Sequence, residues 1–158
     1  MNLFITDGGQ ARLNALDLKF GGTPRPRCLH HQMENLLSYV PETQRAAVEP
    51  ELKAIYYQEN REKADPVAAA FREKFRAIDP AAIKCMDRDW EACLTFSAFP
   101  TAHWKTIRTN TVIQRLFGEV KKRSHKMAAA FRHEGSGLLM FYAVIRSFKF
   151  RKIAADAK

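Results

Sequence analysis

The stretch NLFITDGGQARLNALDLKFGGTPRPRCLHH, residues 2–31, indicates the fold class. NLFIT predicts a short buried strand, which the turn signal DGG ends. Apolar residues near helical spacing predict a helix over 9–20, stopped by two glycines, and RCLHH predicts a second short strand over 27–31. A strand, a helix and a strand in this order are typical of the edge of an α/β sheet.

From residue 32 to about 104 the pattern instead indicates helices. The segment 42–57 carries apolar residues at helical spacing. Two Asp-Pro pairs, at 65–66 and 79–80, each combine an N-cap with proline at the first helical position, and predict two further helix starts. Three acids in the second of these helices are expected to be solvated, namely Asp87, Asp89 and Glu91.

The two predicted strands are too few to form an independently stable sheet. Either the helices carry the fold alone, or strands that belong upstream of Met1 are missing. The 158 residues suffice for one domain with a real core, and the hydrophobic content of 46% argues against disorder.

The composition also limits where the protein acts. No apolar run approaches the roughly 18 residues of a membrane span, and no signal peptide is visible. Cys28, Cys85 and Cys93 are an odd number at unpatterned spacing, which fits reduced thiols better than a disulfide framework. We therefore expect a cytoplasmic protein without a membrane partner.

The positive charge is concentrated in the last third of the chain. Residues 103–158 hold 13 Lys and Arg against three acids, whereas residues 1–102 hold 13 against 14, within a net charge of +9. This asymmetry favours a polyanionic partner, most simply nucleic acid. The alternative is a solvated basic surface.

The stretch TNTVIQRLFGEVKKRS, residues 109–124, predicts an amphipathic helix inside this basic region. Its core-facing stripe comprises Val112, Ile113, Leu116, Phe117 and Val120. Gln114 lies on the rim of that stripe. By spacing alone it is either a good helix former at a boundary or a side chain directed into a cleft. A last helix is predicted over 134–150, with a second stripe of Met140, Phe141, Val144, Ile145 and Phe148.

Three stretches in order carry a family resemblance: ITDGG at 5–9, RCLHHQMENLL at 27–37, and LTFSAFPTAHWKTIRTNTVIQRLFGEVKKRS at 94–124. Together they resemble the C-terminal half of Mutator-type bacterial insertion-sequence transposases, which are DDE enzymes. Asp-Gly and Cys-x-x-His are weak motifs by themselves. The long stretch around HWKTIRTN is specific, and the resemblance extends over about the whole chain.

This resemblance implies an α/β fold by descent, a ribonuclease-H-like catalytic core with a helical insertion, in a chain that is mostly α with two short N-terminal strands. It divides the chain into a partial core over 1–34, the insertion over 35–104, and the catalytic helix with a basic helical segment over 105–158. In this family three acids hold two divalent ions, Mg²⁺ or Mn²⁺, which promote cleavage and transfer of DNA strands.

Residue by residue, Asp7 matches the second acid and would be a metal ligand. Gln114 stands at the position of the third acid, a Glu in family members, and an amide brings no charge to a metal. Cys28 and His31 match a Cys-x-x-His pair near the active site. For that pair a packed thiol with an ordinary surface histidine is the alternative, and a zinc site is less favoured.

The resemblance and the basic helix together predict contacts with double-stranded DNA at the insertion-sequence ends. The predicted DNA-binding residues are Arg108, Thr109, Asn110, Arg115, Lys121, Lys122 and Arg123. The family's first acid and its DNA-binding region would lie upstream of Met1, so a truncated and inactive transposase is expected. The alternatives are a non-catalytic module that binds DNA or inhibits a full-length transposase, and a plain helical protein with a basic end. The expected protein partner is a full-length transposase or an upstream-encoded fragment.

Overall fold

The computed structural model describes residues 3–126 and 133–149, and these residues form mainly α-helices. In chain order they are α1 Gln10–Phe20, α2 Leu29–Ser38, α3 Glu42–Tyr56, α4 Arg61–Arg76, α5 Pro80–Leu94, a 3₁₀ turn Thr95–Ala98, α6 Thr101–Ile107, α7 Thr111–Lys126 and α8 Glu134–Ser147. Two compact units are present, one up to Thr109 and one from Asn110 onward. None of these helices is long and apolar enough to cross a bilayer.

The two predicted N-terminal strands are wrong for the described residues, where a single parallel bridge joins Thr6 to Arg27. The Phe4 and Thr6 amides donate to the carbonyls of Pro24 and Pro26, both at 3.1 Å, and the Cys28 amide donates to the Thr6 carbonyl at 2.7 Å. Pro26 has no N–H with which to return a bond to Phe4. The parallel ladder therefore stops after one bridge.

The segment predicted as the second strand, 27–31, instead leads into α2 at Leu29. The Leu29 amide donates to the Arg108 carbonyl at 2.8 Å, and the Gln32 amide closes the first helical turn on the Cys28 carbonyl at 3.0 Å. Leu29, Met33 and Leu36 recur at helical spacing, and α2 buries all three.

The core of the first unit lies among α2, α3, α4 and α5. Its largest fully buried apolar side chains are Leu29, Leu36, Leu52, Ile55, Tyr56 and Met86. The predicted helix start at Asp79-Pro80 is confirmed, since the Asp79 carboxylate accepts the Ala81 and Ala82 amides. The start predicted at Asp65-Pro66 is wrong, because Asn60 caps α4 earlier by accepting the Lys63 amide.

The second unit contains α7 packed against α8. The predicted α7 stripe is buried at Val120, which is 7% exposed, but not at Phe117, which is 58% exposed. Likewise α8 buries Val144 and exposes Ile145. Two packed helices bury only the residues along their line of contact. The predicted apolar stripe of α7 is about 140° wide, so α8 alone cannot cover it. The last helix is predicted to continue to about residue 150, which lies outside the described residues, but α8 ends earlier, at Ser147, before the extended residue Phe148.

Candidate functional site

The Asp7 carboxylate lies in a tight turn directly after the bridge residue Thr6. Its Oδ1 accepts the Gly9 amide at 3.1 Å and Arg12 Nε at 3.0 Å, while Arg12 Nη2 contacts Oδ2. The hydrogen bond from Arg12 is the main reason that the pKa of Asp7 lies below its ordinary value, and the charge of His31 contributes in the same direction. Asp7 is therefore held as a carboxylate whose two oxygens both face donors.

We expect Arg12→Gln to raise the pKa of Asp7 toward its ordinary value, as measured by NMR titration of the carboxyl carbon. Because the folded pKa is lowered, ionised Asp7 stabilises the fold above the unfolded aspartate pKa of about 3.9, and this contribution is lost as the pH falls through the folded value. The stability difference between wild type and variant should thus shrink in acid. An unchanged titration in Arg12→Gln would show that Arg12 does not set this pKa.

Two consecutive amides at the start of α2 join distant parts of the first unit. The Cys28 amide bonds the Thr6 carbonyl, next to Asp7, and the Leu29 amide bonds the Arg108 carbonyl, next to Thr109. The Cys28 side chain is buried, and His31 lies in the first turn of α2. The structure thus brings the Asp7 turn, the Cys-x-x-His segment and the end of α6 together.

The guanidinium of Arg108 packs among three aromatic rings of the first unit. Its carbon lies 4.6 Å from the Phe96 ring centroid, 5.0 Å from that of Trp104 and 5.2 Å from that of Tyr57. Nη2 also donates to the Gln58 carbonyl at 3.4 Å. These contacts give Arg108 a packing role, because a cation over several ring faces is stabilised electrostatically. Its contact with DNA stays a prediction.

The remaining predicted site residues lie around the start of the second unit. Thr109 ends the first unit, and the Asn110 carbonyl accepts the Ile113 and Gln114 amides at 3.0 and 3.2 Å, which opens α7. Gln114 is exposed one turn into that helix. Asp7 and Gln114 belong to different units, so their pairing in one site stays a prediction.

One face of α7 is basic. Arg115, Lys122 and Lys126 are spaced seven and four residues apart, which places them on the same side of the helix, and all three are exposed. Glu119, the one acid of α7, bonds Lys122 at 3.0 Å. Lys121 and Arg123 are also exposed, in other directions around the helix. Sequence reasoning did not single out Lys126, although its spacing from Arg115 was visible.

The described residues do not by themselves fit a two-metal centre. Within 3–126 and 133–149, no group of three or more His, Cys, Asp or Glu side chains is arranged to hold a metal ion. Asp7 directs both of its oxygens at Arg12.

Sequence reasoning missed a buried polar network beneath the Asp7 turn. Asp89, expected to be solvated, is only 14% exposed in its side chain and pairs with Arg27 at 3.3 Å. The expectation is wrong because Asp89 faces the N-terminal segment, which periodicity within α5 does not reveal. The available signal was Arg27 itself, a charged residue directly before Cys28 in a segment predicted to be a strand.

Comparison with known proteins assigns the family. The sequence matches the family described as "Transposase, Mutator family" over residues 1–152. It is 31% identical over 122 residues to the transposase for insertion sequence element IST2 of Acidithiobacillus ferrooxidans, covering 77% of this chain and 41% of that protein. It is 30% identical over 155 residues to the transposase for IS6120 of Mycolicibacterium smegmatis, covering 98% of this chain and 48% of that protein.

The chain spans less than half the length of these two relatives. The family match nevertheless extends from the Asp7 turn through α7 and α8, and so includes both units. This protein belongs to the Mutator family of transposases, whose matched members here are insertion-sequence transposases.

Proposed function

We propose that this protein binds double-stranded DNA at insertion-sequence ends through the basic face of α7, and that it does not cleave DNA by itself. The observation that carries the proposal is the row of exposed cations Arg115, Lys122 and Lys126 on one side of that helix. Glu119 pairs with Lys122 and also interacts electrostatically with Arg115, so the described row carries three cations against one acid of α7. The row thus keeps most of its charge for an anionic partner.

The dimensions of this row suit a DNA backbone. Eleven residues of α-helix at 1.5 Å per residue separate Arg115 from Lys126 by about 16 Å. Duplex DNA carries one phosphate per about 1.7 Å of its axis, so three cations over that distance can each reach a different phosphate. Binding of this kind releases counterions and does not depend strongly on base sequence. Recognition of particular element ends would need additional contacts to base edges.

The salt dependence of binding to a 30-bp duplex tests this proposal. Each phosphate contact contributes about 0.9 to the slope of log affinity against log salt concentration. We expect the triple variant Arg115→Gln, Lys122→Gln, Lys126→Gln to reduce the magnitude of that slope by about 2.7, because three phosphate contacts are lost. Fluorescence anisotropy at several salt concentrations would measure it.

A matched triple variant in the first unit controls for the loss of net charge. Lys53→Gln, Lys63→Gln and Lys74→Gln remove three cations that already pair with Glu49, Glu59 and Glu51. This variant should retain nearly the wild-type slope. Equal losses in both triple variants would mean that overall charge, and not the α7 face, determines binding.

The lack of cleavage is proposed from the two acid positions that the family resemblance places in this chain. One is Asp7, and the other is occupied by Gln114, whose amide cannot supply the negative charge that divalent cations require. Descent from a ribonuclease-H-like core is supported by the parallel bridge between Thr6 and Arg27, with α1 as the crossover between them. The bacterial cytoplasm is the compartment in which such a protein would meet its DNA.

A second candidate is a module that pairs with another transposase chain. It is favoured by exposed apolar side chains of α8, since Leu138, Leu139 and Tyr142 are each at least 60% exposed. The salt experiment separates the two candidates. The pairing module would be favoured in either of two cases. In the first, the protein does not bind the duplex. In the second, it binds the duplex, but the α7 triple variant leaves the salt slope unchanged.

A further inference from the structure

Arg27 is a buried cation whose contacts reach the turn that carries Asp7. The residue is 4% exposed. Its Nε donates to Gln32 Oε1 at 3.1 Å, and Nη2 lies 3.3 Å from Asp89 Oδ2. Its backbone amide donates to the Ala92 carbonyl at 2.8 Å. A buried charge needs this degree of pairing, so the guanidinium is fixed in place by α2 and α5.

Gln32 completes this arrangement from within the core. Its side chain is fully buried, accepts from Arg27 through the amide oxygen, and donates through Nε2 to the Cys85 carbonyl at 3.2 Å. The Gln32 side chain also interacts with that of Tyr56, so its amide is held between the core and Arg27. The orientation of the guanidinium is therefore set by a hydrogen bond at Nε and an ion pair at Nη2.

The third nitrogen of Arg27 lies against Gly8. A Cβ built on Gly8 would collide with Nη1 and Cζ of Arg27. Gly8 also has φ of +78°, which disfavours a side chain independently of space. The Gly8 backbone therefore contacts the Arg27 guanidinium directly, because Gly8 has no side chain.

We propose that Arg27 is a positioning residue for Asp7. The Arg27 guanidinium packs against the Gly8 backbone and so fixes the conformation of this turn. In that conformation the Gly9 amide donates to the Asp7 carboxylate. This inference does not depend on the proposed DNA binding, and it takes from the family resemblance only the match of Asp7 to one of the acid positions. The contact between Arg27 and Gly8 stands on geometry alone.

The test compares Arg27→Met with Arg88→Met. Arg88 also bonds Asp89, at 2.9 Å, but its side chain is 66% exposed, whereas that of Arg27 is buried. We expect Arg27→Met to shift the NMR resonance of the Asp7 carboxyl carbon and to speed hydrogen exchange of the Gly9 amide at least about tenfold. Arg88→Met should change neither. Equal behaviour of the two variants, with the core intact by circular dichroism, would overturn the inference.

A double-mutant cycle keeps the inference falsifiable if Arg27→Met does not fold fully. Gly8→Ala should change the unfolding equilibrium constant by a smaller factor in an Arg27→Ala background than in wild type, because the collision with the guanidinium is then absent. Equal factors in both backgrounds would contradict the contact. Gly9→Ala serves as the control, since the atoms nearest to its Cβ belong to Arg12 and Asp7.

These readouts involve neither DNA nor a metal ion. Failure of the salt experiment would remove the proposed DNA-binding function and would leave the Arg27 results unaffected. Conversely, an unchanged Asp7 turn in Arg27→Met would overturn the positioning role while the α7 salt slope remained. The two proposals can therefore fail separately.

Discussion

Asp89→Ala will lower the free energy of unfolding by about 3–5 kcal/mol, because it leaves the buried guanidinium of Arg27 without its counter-charge. The Arg27 side chain has 5% of its surface exposed, so water cannot replace the carboxylate. Urea unfolding followed by circular dichroism would measure the loss. The denaturant slope should stay unchanged if the native state retains its compactness.

Asp87→Ala is the matched control for this effect. Asp87 lies in the same helix and pairs with Arg72 at 2.7 Å, but its side chain is 52% exposed. Exposed pairs typically contribute less than about 1 kcal/mol. Similar losses in both variants would show that the Arg27–Asp89 pair has no special dependence on burial.

Trp90→Ala should cost a comparable amount, about 3–5 kcal/mol, through the cavity that it leaves in the first unit. The Trp90 side chain is buried, its ring centroid lies 6.0 Å from that of Tyr56, and the Arg72 guanidinium lies 4.7 Å above it. Thermal unfolding by circular dichroism would measure the loss. The method does not depend on the fluorescence that the variant removes.

Trp90→Phe separates packing from the cation contact. Phenylalanine keeps an aromatic ring beneath Arg72 and most of the buried volume, so we expect a clearly smaller loss than for alanine. Tyr57→Ala provides an external comparison, since Tyr57 is almost half exposed. A Trp90→Ala variant as stable as Tyr57→Ala would contradict the placement of Trp90 in the core.

Helices were predictable where a local signal was sufficient. The helix over 9–20 and the start at Asp79-Pro80 follow from glycine stops, caps and proline, and the structure has both. The strands failed because pairing depends on a second segment, where Pro24 and Pro26 lack the N–H groups that a ladder needs. The α4 start failed because Asn60 offers an earlier cap than Asp65.

The candidate site was predictable in part. The order of the resembling segments led to Asp7, Cys28 and His31, which the structure brings near one another. The buried polar contacts next to these residues were not predictable. Arg27, Gln32 and Asp89 come from three separate segments, and no periodicity within one segment indicates that they meet. Such contacts are determined by tertiary packing alone.

The neighbouring amides of Cys28 and Leu29 have a consequence for the order of folding. One holds the carbonyl before Asp7, and the other holds the carbonyl of Arg108, which follows after α3, α4, α5 and α6. The second bond closes a very long loop, whose entropic cost is recovered only after those helices have packed. The region around Asp7 should therefore be completed late in folding, and the Leu29 amide should exchange with solvent only when the whole first unit opens.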